Sequence, residues 1–489
     1  MTRFRTALAL VALLAAGLAL TMLERGRLGL EVQHFEAGGT PASLTAQPGA
    51  TGPLVLIAHG FAGARQMMHS YALSLAHAGY RAVTFDFAGH GRNPQPLSGD
   101  VTRIEGTTRL LVAESARVLD AARRLTGAEG PAAVIGHSMA SDIVVRLAAE
   151  RRDIAAVIGI SMYSEAVTPS FPERLLILTG AGEPTLRANA LAAVRMIDPA
   201  GEEGDLVARG AVTRLALVAP GVEHVGVLHS ETAVRAARGW LDAAFQRESA
   251  APPVLPGRWA ALLLLAILAG AWALSPLIGP KRPARDPLPA LRVIAISLTG
   301  AGAGILAGAA LPFQLPGAAA LGTVTLVLGA NGAVQLFLLS RAGPLTGGVS
   351  HRGLGFVLIA GLLFALALDR YGASFWPHGP RVALTGWLLL GAVPMMLADF
   401  AMFAGRAAPL WLRIVARIPL VLAPSLTALL VPEEVVFLAV SVPLLLLFLL
   451  LLHPIARWAG ARGGALTGGL GAGVLLAWSL GAAYPLFAG

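Results

Sequence analysis

Gly136-His137-Ser138-Met139-Ala140 follows directly on the short apolar run Ala132–Ile135 and opens a helical stretch that continues to Glu150. A turn this tight between a buried strand and a helix needs small residues on either side of its central serine, so that the hydroxyl projects above the sheet. Ala140 holds the last position, where glycine is more usual. A five-residue G-x-S-x-small match is common by chance, and its setting between strand and helix is what gives it weight. The competing reading makes Ser138 an ordinary helix N-cap.

Outward from this turn, from residue 29 to about residue 248, short β-type runs alternate with helical stretches. Leu54–Ala58, Ala82–Phe87, Ala132–Ile135, Ile154–Ile160, Leu175–Thr179 and Leu215–Val218 read as strands. Gln66–Ala78, Thr107–Arg124, Ser138–Glu150 and Thr232–Phe245 read as helices. Such alternation implies a largely parallel sheet covered on both faces.

Four further segments sit on this frame in a telling order. His59-Gly60-Phe61 follows the strand Leu54–Ala58, and Asp86-Phe87-Ala88-Gly89-His90-Gly91 closes the next strand. Leu178-Thr179-Gly180-Ala181-Gly182-Glu183 and Gly221-Val222-Glu223-His224 end the two late ones. With GHSMA, these segments resemble the α/β-hydrolase family over about 220 residues, and the chain order Ser, acid, His is that family's own. The resemblance implies an α/β-hydrolase domain without a lid insertion, with Ser138 as nucleophile, His224 as general base and Glu183 as the acid. Phe61 and Met139 would offer backbone N–H groups to an oxyanion.

The chemistry explains these residue types. A serine hydroxyl is a poor nucleophile until an imidazole takes its proton. The imidazole needs its second nitrogen held and its developing charge balanced, which a carboxylate does. Backbone N–H groups then stabilise the oxyanion, each worth about 10²–10³ in turnover. Alternatives stay open at two positions: His229 competes with His224, and Glu165 or Glu223 could replace Glu183. His59, His90 and His137 read as loop supports, and Asp86 as a structural turn residue. No cofactor or metal is called for.

Composition divides the chain between two solvents. Only 13% of the 489 residues are charged and 55% are hydrophobic, against about 25% charged in soluble domains. The apolar excess lies in an N-terminal run, Ala7–Leu23, and in residues 257–489. The N-terminal run (residues 1–28 with its flanks) reads as an uncleaved anchor, with a cleaved signal peptide as the alternative. Residues 29–250 form the hydrolase-like region, and 251–489 a membrane domain of about eight helices, each needing roughly 20 apolar residues. These fall at about 258–279, 290–311, 317–340, 354–369, 382–404, 409–431, 434–453 and 466–487.

The arginines orient these spans. With the N-terminus inside, the inner loops hold Lys281, Arg282, Arg285, Arg341, Arg352, Arg406, Arg457 and Arg462. The outer loops hold only Arg370 and Arg381, and the segments Pro312–Pro316 and Pro432–Glu434 hold neither Lys nor Arg. Cytoplasmic retention of Lys and Arg thus places the hydrolase-like region outside. The near absence of lysine beside abundant Ala, Gly and Arg points to a GC-rich bacterial genome, hence a bacterial inner membrane. The net charge of +9 forms no basic stripe interleaved with aromatics, which argues against nucleic acid. With no cysteine, disulfides, thiolate metal sites and a cysteine nucleophile are excluded.

Only Ser161–Arg174 separates two strands where relatives of this family often carry a lid. With Phe61, Met67, Met68, Phe87 and Met139 near the expected mouth, the sequence favours an ester of a lipid or acylated, membrane-associated compound as substrate. Thioester or amide cleavage and acyl transfer would use the same groups. The other class is a transporter or channel with an accessory hydrolase domain. Its candidate is Asp399, an acidic residue inside an apolar run, although pairing with Arg413 or Arg417 would make it structural. Asn331 and Gln335 are expected to bridge helices.

Overall fold

The computed structural model describes residues 2–100, 104–283, 285–311, 313–315, 317–318, 320–341, 348–431 and 438–488. It divides into two compact units, one comprising residues 19–261 and 369–374, the other the remaining N-terminal residues with 262–368 and 375–489.

The first unit is built on a nine-stranded sheet. Its strands are β1 (Glu31–Ala37), β2 (Thr40–Ala46), β3 (Leu54–Ala58), β4 (Arg81–Phe85), β5 (Ala132–His137), β6 (Ile154–Ile160), β7 (Arg174–Gly180), β8 (Leu206–Arg209) and β9 (Val212–Ala219). The order is β1-β2-β4-β3-β5-β6-β7-β9-β8. The run from β4 to β9 is parallel, while β1–β2, β2–β4 and β8–β9 are antiparallel. Parallel strands are buried on both faces and so are apolar throughout; every residue of β3 and β5 is buried. The alternation expected from sequence is therefore observed, and it is the arrangement of an α/β hydrolase. The β1–β2 hairpin, β8 and the helix Pro184–Arg195 complete it.

Helices cover the sheet. Glu231–Ala244 begins at Ser230, whose Oγ accepts from the Ala233 N–H, and it buries Ala233, Val234, Ala237 and Leu241 on one stripe. That stripe joins Tyr71, Leu75, Ile135, Ile158 and Leu176 in one core. Truncating Leu241 to alanine there would cost about 2–5 kcal/mol. Because this core lies beneath the strand ends, β3, β5, β6 and β7 hold the loops that follow them in fixed register: Ala58 pairs with Gly136, His137 with Ile160, and Ile160 with Leu178.

Among the described residues nine helices are long and apolar enough to cross a membrane, from Arg3–Arg25 through Ala465–Ala483. Those of the second unit pack through small residues. A Cβ on Gly332 would lie 2.3 Å from Met395 N, and one on Gly468 2.1 Å from Phe400, so glycine lets these helices touch. Asn331 and Gln335 differ from expectation: Gln335 Nε2 donates to Asn331 Oδ1 at 2.6 Å along a single helix. Asp399 pairs with Arg417, not Arg413. Arg417 Nε and Nη2 reach its two oxygens at 2.8 and 2.9 Å, and His453 Nε2 adds a third contact at 3.0 Å.

Two boundaries also differ. The span expected at 434–453 runs instead over Ser441–Gly463, which takes Arg457 and Arg462 out of a loop and into a helix. Pro454 lies inside this span directly after the π-helical stretch Phe448–Leu452, and such a local change in hydrogen bonding accommodates the missing N–H. Arg381, expected in an outer loop, is buried and donates to the Gly481 and Tyr484 carbonyls at the end of Ala465–Ala483, where a helix favours a cation. The segment Pro432–Glu434 and residues Pro312 and Pro316 lie outside the described residues.

Candidate active site

Ser138 stands between β5 and the helix Met139–Glu150 with φ 53° and ψ −119°. A non-glycine residue held there costs about 1–3 kcal/mol, which the surrounding structure must supply. Three contacts do so: the Ser138 N–H donates to Ile160 O at 2.9 Å, and its carbonyl accepts from the Ser141 N–H at 2.8 Å and from Ser141 Oγ at 2.6 Å. Gly136 makes the turn feasible. A Cβ there would lie 2.2 Å from Ala140 O, so the helix can fold back over the strand only if position 136 has no side chain.

The three side chains singled out from sequence come together in a row. His224 Nε2 lies 2.9 Å from Ser138 Oγ, and His224 Nδ1 lies 2.7 Å from Glu183 Oε1. A carboxylate only accepts, so the imidazole proton sits on Nδ1 and leaves Nε2 as acceptor for the serine hydroxyl. Glu183 Oε2 accepts from Ser161 Oγ at 2.9 Å and from the Gly180 N–H at 2.6 Å. The carboxylate is thus fixed at both oxygens, with its side chain 5% exposed against 41% for His224. Ser161 went unnoticed in the sequence, where a serine one residue past a strand carries no motif. Its own φ of 50° turns it back towards Glu183.

On the other side of Ser138 runs the loop after β3. A Cβ on Gly60 would meet Ser138 Cβ at 3.0 Å and His137 Nδ1 at 2.9 Å, so the backbone leading to Phe61 passes directly beside the serine. Met139 is the first residue of its helix, and such an N–H has no acceptor within the helix. Phe61 is half-buried against the His90 ring, 5.5 Å between centroids.

The remaining histidines and acids hold loops. His59 donates from Nδ1 to Gly60 O at 2.8 Å and accepts the Phe87 N–H on Nε2 at 3.1 Å. It is therefore a neutral imidazole tying two loops together, and burial lowers its pKa. His137 donates to the His224 carbonyl at 2.9 Å, and burial pushes its pKa down to about 4. Asp86 accepts from the Arg65 and Arg92 N–H groups. His229 faces Ser70 at 3.2 Å, away from Ser138. Glu165 accepts from the Tyr163 hydroxyl. Glu223 accepts the Val225 and Gly226 N–H groups, which shapes the turn presenting His224.

The apolar residues expected at the mouth divide. Met68 and Phe87 are fully buried in the core, and Met67 packs against the same core. Phe61 and Met139 remain half-buried at the strand ends, with exposed Tyr163 and Val225 nearby in sequence to Ser161 and His224. The connection from β6 to β7 stays short. Arg214, wholly buried on β9, reaches across to donate to the carbonyls of Thr168 and Phe171.

Residues 53–187 match the family model described as alpha/beta hydrolase fold. No curated protein matches the chain. Among solved structures, a protein of Thermus thermophilus is 19% identical, over 45% of this chain and 99% of its own, at a TM-score of 0.33. A predicted CIB-like hydrolase of Thermoplasma acidophilum is 15% identical over 44% of this chain and 98% of its own, at a TM-score of 0.35. A candidate lipase of Acinetobacter baumannii is 15% identical over 46% of this chain and 96% of its own, at a TM-score of 0.34.

Proposed function

We propose that this chain, whose residues 53–187 match the family model of the alpha/beta hydrolase fold, is a membrane-integral serine hydrolase cleaving an ester of a lipid or acylated membrane-associated compound. The observation carrying this reading is the unbroken row Ser138–His224–Glu183, with links of 2.9 and 2.7 Å. His224 Nε2 takes the Ser138 proton as Oγ bonds to the substrate carbonyl carbon. The oxyanion that forms is received by the Phe61 and Met139 N–H groups. The tetrahedral intermediate collapses to an acyl-serine as the leaving alcohol takes the proton back from His224. Water then repeats the sequence and releases the acid.

The substrate class rests on the setting. The nine apolar helices among the described residues suit a chain resident in a bilayer. The short β6–β7 connection leaves the strand ends bordered by apolar groups, which suits an acyl chain. The Lys and Arg that remain in loops or near span ends favour an orientation with the hydrolase unit on the outer side, and the GC-rich composition favours a bacterial inner membrane. Acyl transfer would differ only in the acceptor that replaces water.

A fluorophosphonate probe applied to membranes containing the full chain tests the reading. The wild type becomes labelled and Ser138→Ala does not; equal labelling of both removes Ser138 as nucleophile.

A further inference from the structure

A concavity lies within the helical unit, and none of its lining residues belongs to the row around Ser138. It has a volume of about 380 Å³ and is formed where several apolar helices end. This falls within the size range of small-molecule sites, roughly 300–1,000 Å³.

Its lining is strongly cationic. Arg5 enters from the first helix and Lys281 from the segment after the second. Arg406 comes from the turn after Pro380–Phe403, Arg413 and Arg417 from Leu410–Thr427, and Arg457 and Arg462 from Ser441–Gly463. Asp399 is the one carboxylate in the lining, and it is already engaged by Arg417 and His453. The lining holds no further carboxylate for the other six cations, and of these Arg406 has Asp286 beside it, outside the lining.

Retention of arginine on one side of a membrane requires only that the charges lie in short loops near the span ends. It does not require that they converge, or that they be held in place, yet here both occur. Arg413 is tethered through Nε and Nη2 to the carbonyls of Ala408 and Arg406, and Arg462 through Nη1 to Gly279 O. Arg5 bonds to Trp272 O and Ser275 Oγ and lies 4.3 Å from the Trp272 ring. These partners fix the guanidinium groups while leaving their charge unneutralised. Fixed guanidinium forks suit the oxygens of phosphate, and basic pockets between membrane helices take anionic headgroups.

We propose that this cavity binds a phosphate-bearing anion, either the headgroup of a membrane lipid or a soluble phosphate compound. Asp399, Arg417 and His453 form its fixed wall, and Lys281 with Arg457 supplies adjustable charge at its rim.

The test uses the full chain in nanodiscs. Lys281 and Arg457 have no carboxylate partner among the described residues, so the double variant K281Q/R457Q removes charge while leaving the Asp399 network intact. In phosphatidylcholine nanodiscs, inorganic pyrophosphate is titrated by calorimetry; a soluble ligand predicts wild-type binding weakened by about tenfold or more in the variant. In nanodiscs mixing phosphatidylcholine and phosphatidylglycerol, native mass spectrometry counts retained lipid. A headgroup site predicts phosphatidylglycerol retained by the wild type and lost from the variant. Arg352→Gln, exposed on the first turn of His351–Tyr371 and outside the cavity, leaves either result unchanged. The proposal is overturned if the wild type takes up neither probe, or if K281Q/R457Q and Arg352→Gln bind as the wild type does.

Discussion

Ser161 Oγ donates to Glu183 Oε2 at 2.9 Å, the carboxylate oxygen that His224 does not use. One oxygen therefore faces the imidazole and the other is anchored to the β6 end. A glutamate reaching from a loop has more torsional freedom than an aspartate, and this second tether removes it.

Glu183→Gln keeps the shape but offers His224 Nδ1 an amide in place of a carboxylate. Turnover is expected to fall by about 10³–10⁴ with KM little changed. Ser161→Ala keeps the carboxylate and loosens it, so its loss should be smaller, about tenfold. Steady-state kinetics on a short-chain ester checks both. A Glu183→Gln enzyme with wild-type kcat would remove Glu183 from the row.

His137 sets a pH dependence of stability. Its pKa is about 4 in the fold because of burial, against about 6.5 when unfolded. As pH falls from 6.5 the unfolded chain takes up a proton that the folded one refuses until about pH 4. Stability present above pH 6.5 is therefore lost across that window, by at most about 3 kcal/mol. Buried His59 acts in the same direction. Glu223, held below its usual 4.5 by the Val225 and Gly226 N–H groups, contributes only at lower pH. The thermal midpoint of the purified protein should decline between pH 6.5 and 4, and His137→Gln should flatten the decline. A midpoint constant over this range contradicts it.

Asp399 should be needed for stability. Removing it by Asp399→Ala leaves Arg417, 17% exposed, without its carboxylate. Breaking a buried pair from one side costs about 3–5 kcal/mol. The double variant Asp399→Ala/Arg417→Met should recover much of this. Thermal unfolding in detergent separates the two, and an Asp399→Ala protein as stable as the wild type would point to another role for this residue.

What sequence reveals of this molecule depends on burial. The strands expected from sequence are mostly those whose apolar runs are enclosed on both faces, as Leu54–Ala58 is, although Val212–Ala219 is buried only in alternation. The hairpin strand Glu31–Ala37 is mostly exposed and lacks such a run, although Gly38 and Gly39, both at positive φ, mark its turn. The helix Pro184–Arg195 buries only Ala190, Ala193 and Val194, too little for a visible period. Within the site, order along the chain pointed to Ser138, Glu183 and His224. Ser161 and Arg214 were hidden because their roles come from backbone direction and strand adjacency, which leave no local signature. His453 was hidden for the same reason: only folding brings it to Asp399.

Arg214 bears on tempo. Stapled at Thr168 and Phe171, the stretch between β6 and β7 has no slack with which to swing aside. On the proposed reading a catalytic cycle then contains no opening event, unlike enzymes whose pace is set by a moving flap. The pace of such a protein is then left to binding and to the chemistry at Ser138, with no rearrangement of this stretch in between.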